Sequence, residues 1–132
     1  MIAAPNANKR LRNGGYGRLT NLRVAPERID AILLTKGGAL RNVQIVPGGA
    51  VRQFGTATGG FRGVPTMSLA GINSGAPQRL TRAAAERLGV APSRVNYLVY
   101  TQFAGTAQWN VYFTGGQIFS ADASGRITRR IS

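Results

Sequence analysis

Residues 95–131 read VNYLVYTQFAGTAQWNVYFTGGQIFSADASGRITRRI, and this stretch decides the fold. Val95 to Phe103 is dense in β-branched and aromatic residues, and Gln108 to Thr114 repeats that character. Such side chains fit a pleated, half-buried surface. Gly115-Gly116 turns the chain into a third run, Gln117 to Ala121, and Ala123-Ser124-Gly125 turns it again into Ile127 to Ile131. Four short strands joined by tight turns predict an antiparallel meander.

Immediately upstream lies a helix. Leu80, Ala83, Ala84 and Leu88 recur at helical spacing behind Pro77, which suits a first helical turn. Arg79, Arg82, Glu86 and Arg87 fall largely outside that apolar stripe. Gly89 supplies the stop and Pro92 forbids continuation. The spacing predicts an amphipathic helix over 77–88 laid on the meander.

The first half reads as a worn copy of the second. Val24-Ala25-Pro26-Glu27-Arg28-Ile29 matches Val90-Ala91-Pro92-Ser93-Arg94-Val95 at an offset of 66; Thr35 and Thr101 keep that offset. Gly48-Gly49 and Gly115-Gly116 match one residue later. Strands are expected at Ile29–Thr35, Leu40–Val46 and Ala50–Phe54. Before Val24, Asn13-Gly14-Gly15-Tyr16-Gly17 breaks any long helix and leaves room for a short helical turn over Pro5–Arg12. Between the halves, the Gly-, Thr- and Ser-rich segment from Gly55 to Gly75 is expected to carry a crossing strand around Val64–Leu69. The expected architecture is α+β: a helix packed on an antiparallel β-meander in two related halves. Residues 1–62 form a degenerate first repeat, 63–76 the linker and 77–132 the second repeat.

Composition narrows the chemistry. The 132 residues, 43% of them hydrophobic, suffice for a packed core, and no apolar run approaches a membrane span. Met1-Ile2-Ala3-Ala4-Pro5 lacks the regions of a signal peptide, so the chain reads as cytosolic or as one that begins after its targeting segment. There is no Cys and no His, which removes thiolate zinc sites, the usual general base and the usual thiol nucleophile. The carboxylates are Glu27, Asp30, Glu86 and Asp122, too few and too scattered for a facing pair or a hard-metal cage. A serine–lysine dyad through Lys36 is the nucleophile chemistry left over, and no motif accompanies it. The paired glycines Gly48-Gly49, Gly59-Gly60 and Gly115-Gly116 do not continue into a phosphate loop and read as hairpin turns. No catalytic residue, metal or cofactor is expected.

Net charge is +13, from 17 basic and 4 acidic residues, and nearly all the basic ones are arginine. A field of this sign favours anionic partners: nucleic acid, an anionic envelope component or an acidic protein surface. The arginines run from Arg10 to Arg130 rather than forming a tail.

Strand alternation sorts the second half by face. Tyr97, Val99, Phe103, Trp109, Val111 and Phe113 are assigned to the helix side. Leu98, Tyr100, Tyr112 and Phe119 are assigned to the other side, an aromatic stripe where an open sheet normally shows polar residues. In the first half Ile32, Leu34, Val46 and Phe54 are likewise apolar beside Asn42, Gln44 and Arg52. Three arrangements would account for the stripe: the halves join edge to edge into one sheet whose second face the linker covers, the chain dimerises through it, or it is a binding surface with arginines at the rim. The candidate binding residues are Tyr100, Tyr112, Phe119, Leu98, Arg52 and Arg130.

The order of helix, hydrophobic strand, Trp109-Asn110-Val111-Tyr112-Phe113, glycine turn, Gln117-Ile118-Phe119-Ser120-Ala121-Asp122 and Ser124-Gly125-Arg126-Ile127 resembles PepSY-type domains. The likeness covers about Pro77 to Ile131, and a duplicated version is similar to the tandem layout of β-lactamase-inhibitor-like proteins. The first half departs from it: no Trp or Tyr precedes Val43, and no Asp-x-x-Gly follows Phe54. The resemblance implies a noncatalytic, extracytoplasmic protein that binds or inhibits other proteins or senses at the envelope. The expected function is such a binding module, for a protein or envelope component. One rival is a basic sheet surface that stacks single-stranded nucleic acid. Another is a structural subunit that dimerises or assembles through the same face.

Overall fold

The structure is a computed structural model that describes residues 17–46, 50–57, 60, 65–67, 72–73, 75–103 and 105–131, without the side chains of 54–57 and 103. Eight strands run β1 (Arg18–Val24), β2 (Ile29–Leu34), β3 (Leu40–Ile45), β4 (Val51–Ala57), β5 (Val95–Phe103), β6 (Thr106–Phe113), β7 (Ile118–Asp122) and β8 (Ile127–Arg130). Helix α1 (Ala76–Leu88) and a 3-10 turn, Pro92–Arg94, stand between β4 and β5. All eight strands form one antiparallel sheet in the order β4-β3-β2-β1-β5-β6-β7-β8.

This corrects the expectation of two related halves with a helix packed on a β-meander. The sheet is continuous, and α1 is the one α-helix among the described residues. The matched hexapeptides do different work. Val24–Ile29 closes the β1–β2 hairpin, with the Ala25 amide bonded to the Arg28 carbonyl, whereas Val90–Val95 leads from helix to strand through the 3-10 turn. An offset of 66 equates β2 with β5, yet between these two in the sheet stands β1, hydrogen-bonded to both. That strand lies before the matched segment and was not expected at all. Its sequence RLTNLRV hides the two-residue period: a bulge between Leu19 and Asn21 places the buried residues at 19, 22 and 24. The other strands fall where the sequence places them, within two residues at each end, except that β4 runs three residues past the expected Phe54. The helical turn proposed over Pro5–Arg12 lies outside the described residues. Of the proposed crossing strand, Met67 exchanges two backbone hydrogen bonds with Leu19 (3.2 and 2.7 Å), taking the place beside β1 that β5 leaves vacant beyond Thr101.

Helix α1 ends as its sequence dictates. Gly89 takes a left-handed conformation (φ 73°), its amide bonds the Glu86 carbonyl and the Val90 amide reaches back to Ala85, the paired bonds of a Schellman cap. The buried side of α1 is Ala76, Pro77, Leu80, Ala84 and Ala85, packed on β5, β6 and β8, with Arg79, Arg82, Glu86 and Arg87 exposed. Gly116 likewise supplies the positive φ (93°) of the β6–β7 turn.

The core lies on the helix side of the sheet. Leu22, Val24, Ile29, Ala31, Leu33, Val43 and Ile45 come from the first meander; Leu98, Tyr100, Trp109, Val111, Phe113, Phe119 and Ala121 come from the second. Face assignment is therefore corrected for β5. A bulge between Val95 and Tyr97 sets two residues of β5 against one of β6 and reverses the alternation beyond it. Val95 points inward, and so do Leu98 and Tyr100, while Tyr97 and Val99 face the other way. Phe119 pairs with inward Val111 and is buried with it.

Two outcomes follow from this placement. Leu98 is fully buried (0% exposed), so Leu98→Ala is expected to cost about 2–5 kcal/mol in urea unfolding. Burial pushes the Tyr100 phenol above its ordinary value, because desolvation penalises the phenolate. A raised folded value means that this contribution is complete below a pH of about 10 and is lost as pH rises through it. Tyr100→Phe is therefore expected to outlast the wild type in alkaline thermal melts and to melt close to it at neutral pH.

Candidate functional site

The face away from the core carries the polar half of each strand's alternation. One cross-strand row runs over all eight strands as Arg52, Gln44, Asp30, Arg23, Val99, Asn110, Ser120 and Arg129. A neighbouring row sets Asn42, Ile32, Asn21, Thr101 and Gln108 side by side. Amides and hydroxyls thus fill the middle of the face, with Arg52 on one edge strand and Arg129 on the other.

One cluster breaks this pattern. Tyr97 and Tyr112, paired across β5 and β6, stack with ring centroids 4.7 Å apart and planes 19° from parallel. The Arg23 guanidinium sits over the Tyr97 ring, 4.4 Å from its centroid. Arg23 Nη1 also reaches Asp30 Oδ2 at 3.4 Å, and Arg28 Nε donates to both oxygens of the same carboxylate at 3.2 and 3.1 Å. Both tyrosines and Arg23 are half-buried, so their planes are held by packing while one side stays open to solvent. Stacking of this kind contributes about 0.5–1.5 kcal/mol beyond the area buried. The cluster is a rigid guanidinium–aromatic platform near the middle of an otherwise amide-lined face.

The sequence-derived candidates separate. Leu98, Tyr100 and Phe119 are in the core, at 0%, 3% and 3% exposure, and Tyr100 packs on Trp109 with centroids 4.8 Å apart. Tyr112 is on the open face, in the stack. Arg52 shares that face but lies on edge strand β4, five strand positions from β6, or about 24 Å at the usual spacing. Arg130 is on the helix side, its guanidinium 5.9 Å from the Phe119 ring centroid. The aromatic stripe expected on the open face is thus reduced to Tyr112, joined by Tyr97 and Arg23, which the sequence reading did not select. A signal for Arg23 exists: it stands between Leu22 and Val24, the short alternation that sends a middle residue outward.

All four carboxylates are described. Asp30 serves the arginine pair. Asp122 closes the β7–β8 turn, accepting from the Ser124 hydroxyl (2.6 Å), the Ser124 amide (3.1 Å) and the Arg126 amide (2.9 Å). The Ser124 hydroxyl above all, with the Arg126 amide next, holds its pKa below the usual carboxylate range. Glu27 and Glu86 are exposed. Among the described residues, no three acidic side chains converge as metal ligands. A hollow of about 190 Å³ at the C-terminal end of α1 is lined by Leu88, Val90, Arg94, Phe113, Gly115 and Gln117, smaller than ordinary ligand pockets of roughly 300–1,000 Å³.

No protein-family model matches the chain, and no curated protein is similar to it in sequence. The fold does have a counterpart: the crystal structure of a provisionally assigned lipoprotein from Clostridium difficile 630 is similar at a TM-score of 0.70, with 9% sequence identity, over 98% of this chain and 91% of that one. No described helix is long and apolar enough to cross a membrane.

Proposed function

We propose that this chain is a noncatalytic binding module of the extracytoplasmic space, which holds a protein or envelope component against the open face of its sheet. The observation that carries the reading is the Arg23–Tyr97–Tyr112 stack. Tyrosine and arginine are enriched among the residues that dominate protein-contact energetics, and each offers a planar surface with a polar end. Here the three are ordered before any partner arrives, which lowers the cost of binding. The surrounding Asn21, Thr101, Gln108 and Asn110 offer donors and acceptors suited to a partner's backbone and neutral side chains. The resemblance of residues 77–131 to PepSY-type domains supports a binding or inhibitory role. The likeness in fold to a provisionally assigned lipoprotein supports a place outside the cytoplasm.

The test is affinity capture from a cell-envelope extract of the encoding organism at physiological salt, with immobilised wild type, Tyr97→Ala and Tyr112→Ala. A partner retained by the wild type is expected to be lost from both variants, while each variant stays folded with a stability about 1–3 kcal/mol below the wild type. Undiminished capture by both variants would remove the stack from the contact and overturn the reading. Loss of folding in both would make the tyrosines structural.

A further inference from the structure

The open face is short of negative charge in a particular way. Asp30 is one carboxylate between two guanidiniums, and its bonds are unequal: Arg28 Nε holds both oxygens at 3.2 and 3.1 Å, whereas Arg23 reaches only Oδ2, at 3.4 Å. The Asp122 carboxylate is committed to its own turn. Arg23 has a second support, the Tyr97 ring beneath it, so its position does not depend on Asp30 alone.

Resting on the binding reading above, we propose that the partner is a protein presenting an acidic segment, and that one of its carboxylates takes over Arg23 while Asp30 stays with Arg28. Two arguments favour a carboxylate at this point. Covering Arg23 with a neutral surface would bury a guanidinium that has the Tyr97 ring beneath it but only one long hydrogen bond, to a shared carboxylate. Its remaining N–H groups would lose water without replacement, which costs more than the contact returns. The guanidinium fork can donate two parallel hydrogen bonds edge-on to a carboxylate, stronger than the single long one it donates to Asp30. The rest of the face favours peptide over a nucleic-acid strand. Bound phosphates need a continuous basic track, yet between Arg23 and Arg129 the row reads Val99, Asn110 and Ser120.

The assignment makes Asp30 a competitor of the partner, so its removal should strengthen binding. The probe is fluorescein-labelled hexaglutamate, read by anisotropy at low and physiological salt, beside a six-nucleotide single strand. The proteins are wild type, Arg23→Gln, Arg23→Lys, Asp30→Asn and Arg82→Gln, the last on the exposed side of α1. Asp30→Asn is expected to tighten hexaglutamate binding about threefold, the scale of a partly exposed ion pair. Arg23→Gln should weaken it about fivefold, Arg23→Lys about threefold because the planar fork is lost, and Arg82→Gln less than twofold. Equal losses in Arg23→Gln and Arg82→Gln, or no gain in Asp30→Asn, would overturn the proposal and leave a general positive field. Tighter binding of the oligonucleotide with the same dependence on Arg23 would overturn it in favour of a nucleic-acid partner. If Arg23→Gln leaves hexaglutamate binding unchanged while Tyr112→Ala still loses its envelope partner, the binding face stands and the acidic partner falls.

Discussion

The structure depends on the hydrogen-bonded seam between β1 and β5, where Asn21, Leu22, Arg23 and Val24 face Thr101, Tyr100, Val99 and Leu98. A four-stranded meander has two edges and one face to bury. Joining two meanders edge to edge removes one edge from each and pools their apolar faces into a single core. The register of that seam sets what each face carries. Leu22 beside Tyr100 and Val24 beside Leu98 send both meanders' apolar residues the same way, and Arg23 beside Val99 goes to the opposite face. A slip of one residue would bury Arg23 and expose Leu22 and Val24.

The sheet keeps β4 and β8 as its outer strands, and both carry arginine: Arg52 on β4, Arg129 and Arg130 on β8. Charge on an outer strand opposes pairing with a second copy of the same edge. Part of the chain's +13 therefore has a structural use that requires no partner. Of the other described basic residues, Arg79, Arg82 and Arg87 lie on the exposed side of α1, and on the open face Asp30 is divided between Arg23 and Arg28. That local imbalance, more than the total charge, is what the proposed acidic partner would answer.

Much of the secondary structure was legible because it rests on local contacts. The apolar spacing of Leu80 and Ala84 with the Gly89 stop gives α1, and the paired glycines at 115 and 116 give the β6–β7 hairpin. The faces were less legible, because a single bulge reverses every residue beyond it. Counting by twos from Val95 sends Tyr97 and Val99 inward, whereas the extra residue at Asn96 sends Leu98 and Tyr100 there instead. The candidate site inherited that error. Tyr112 was read on the open face, but its stacking partner Tyr97 was assigned to the core and the core residues Leu98 and Tyr100 to the surface. Phe119 failed for a related reason: Ile118 and Phe119 are adjacent and both apolar, so only the pairing of Phe119 with Val111 decides which one is buried.

The sequence by itself determined the helix, the hairpins on either side of it, and a side-chain inventory without histidine or cysteine and with few carboxylates. These are properties of composition and of residues a few positions apart. Tertiary structure alone decided that β1 is a strand, that it pairs with β5 across all of β2–β4 and α1, and that Arg23 comes to lie over Tyr97. Such long-range pairing is stabilised by burying both partners at once. Neither RLTNLRV nor VNYLVYTQF contains the information that the other will cover it.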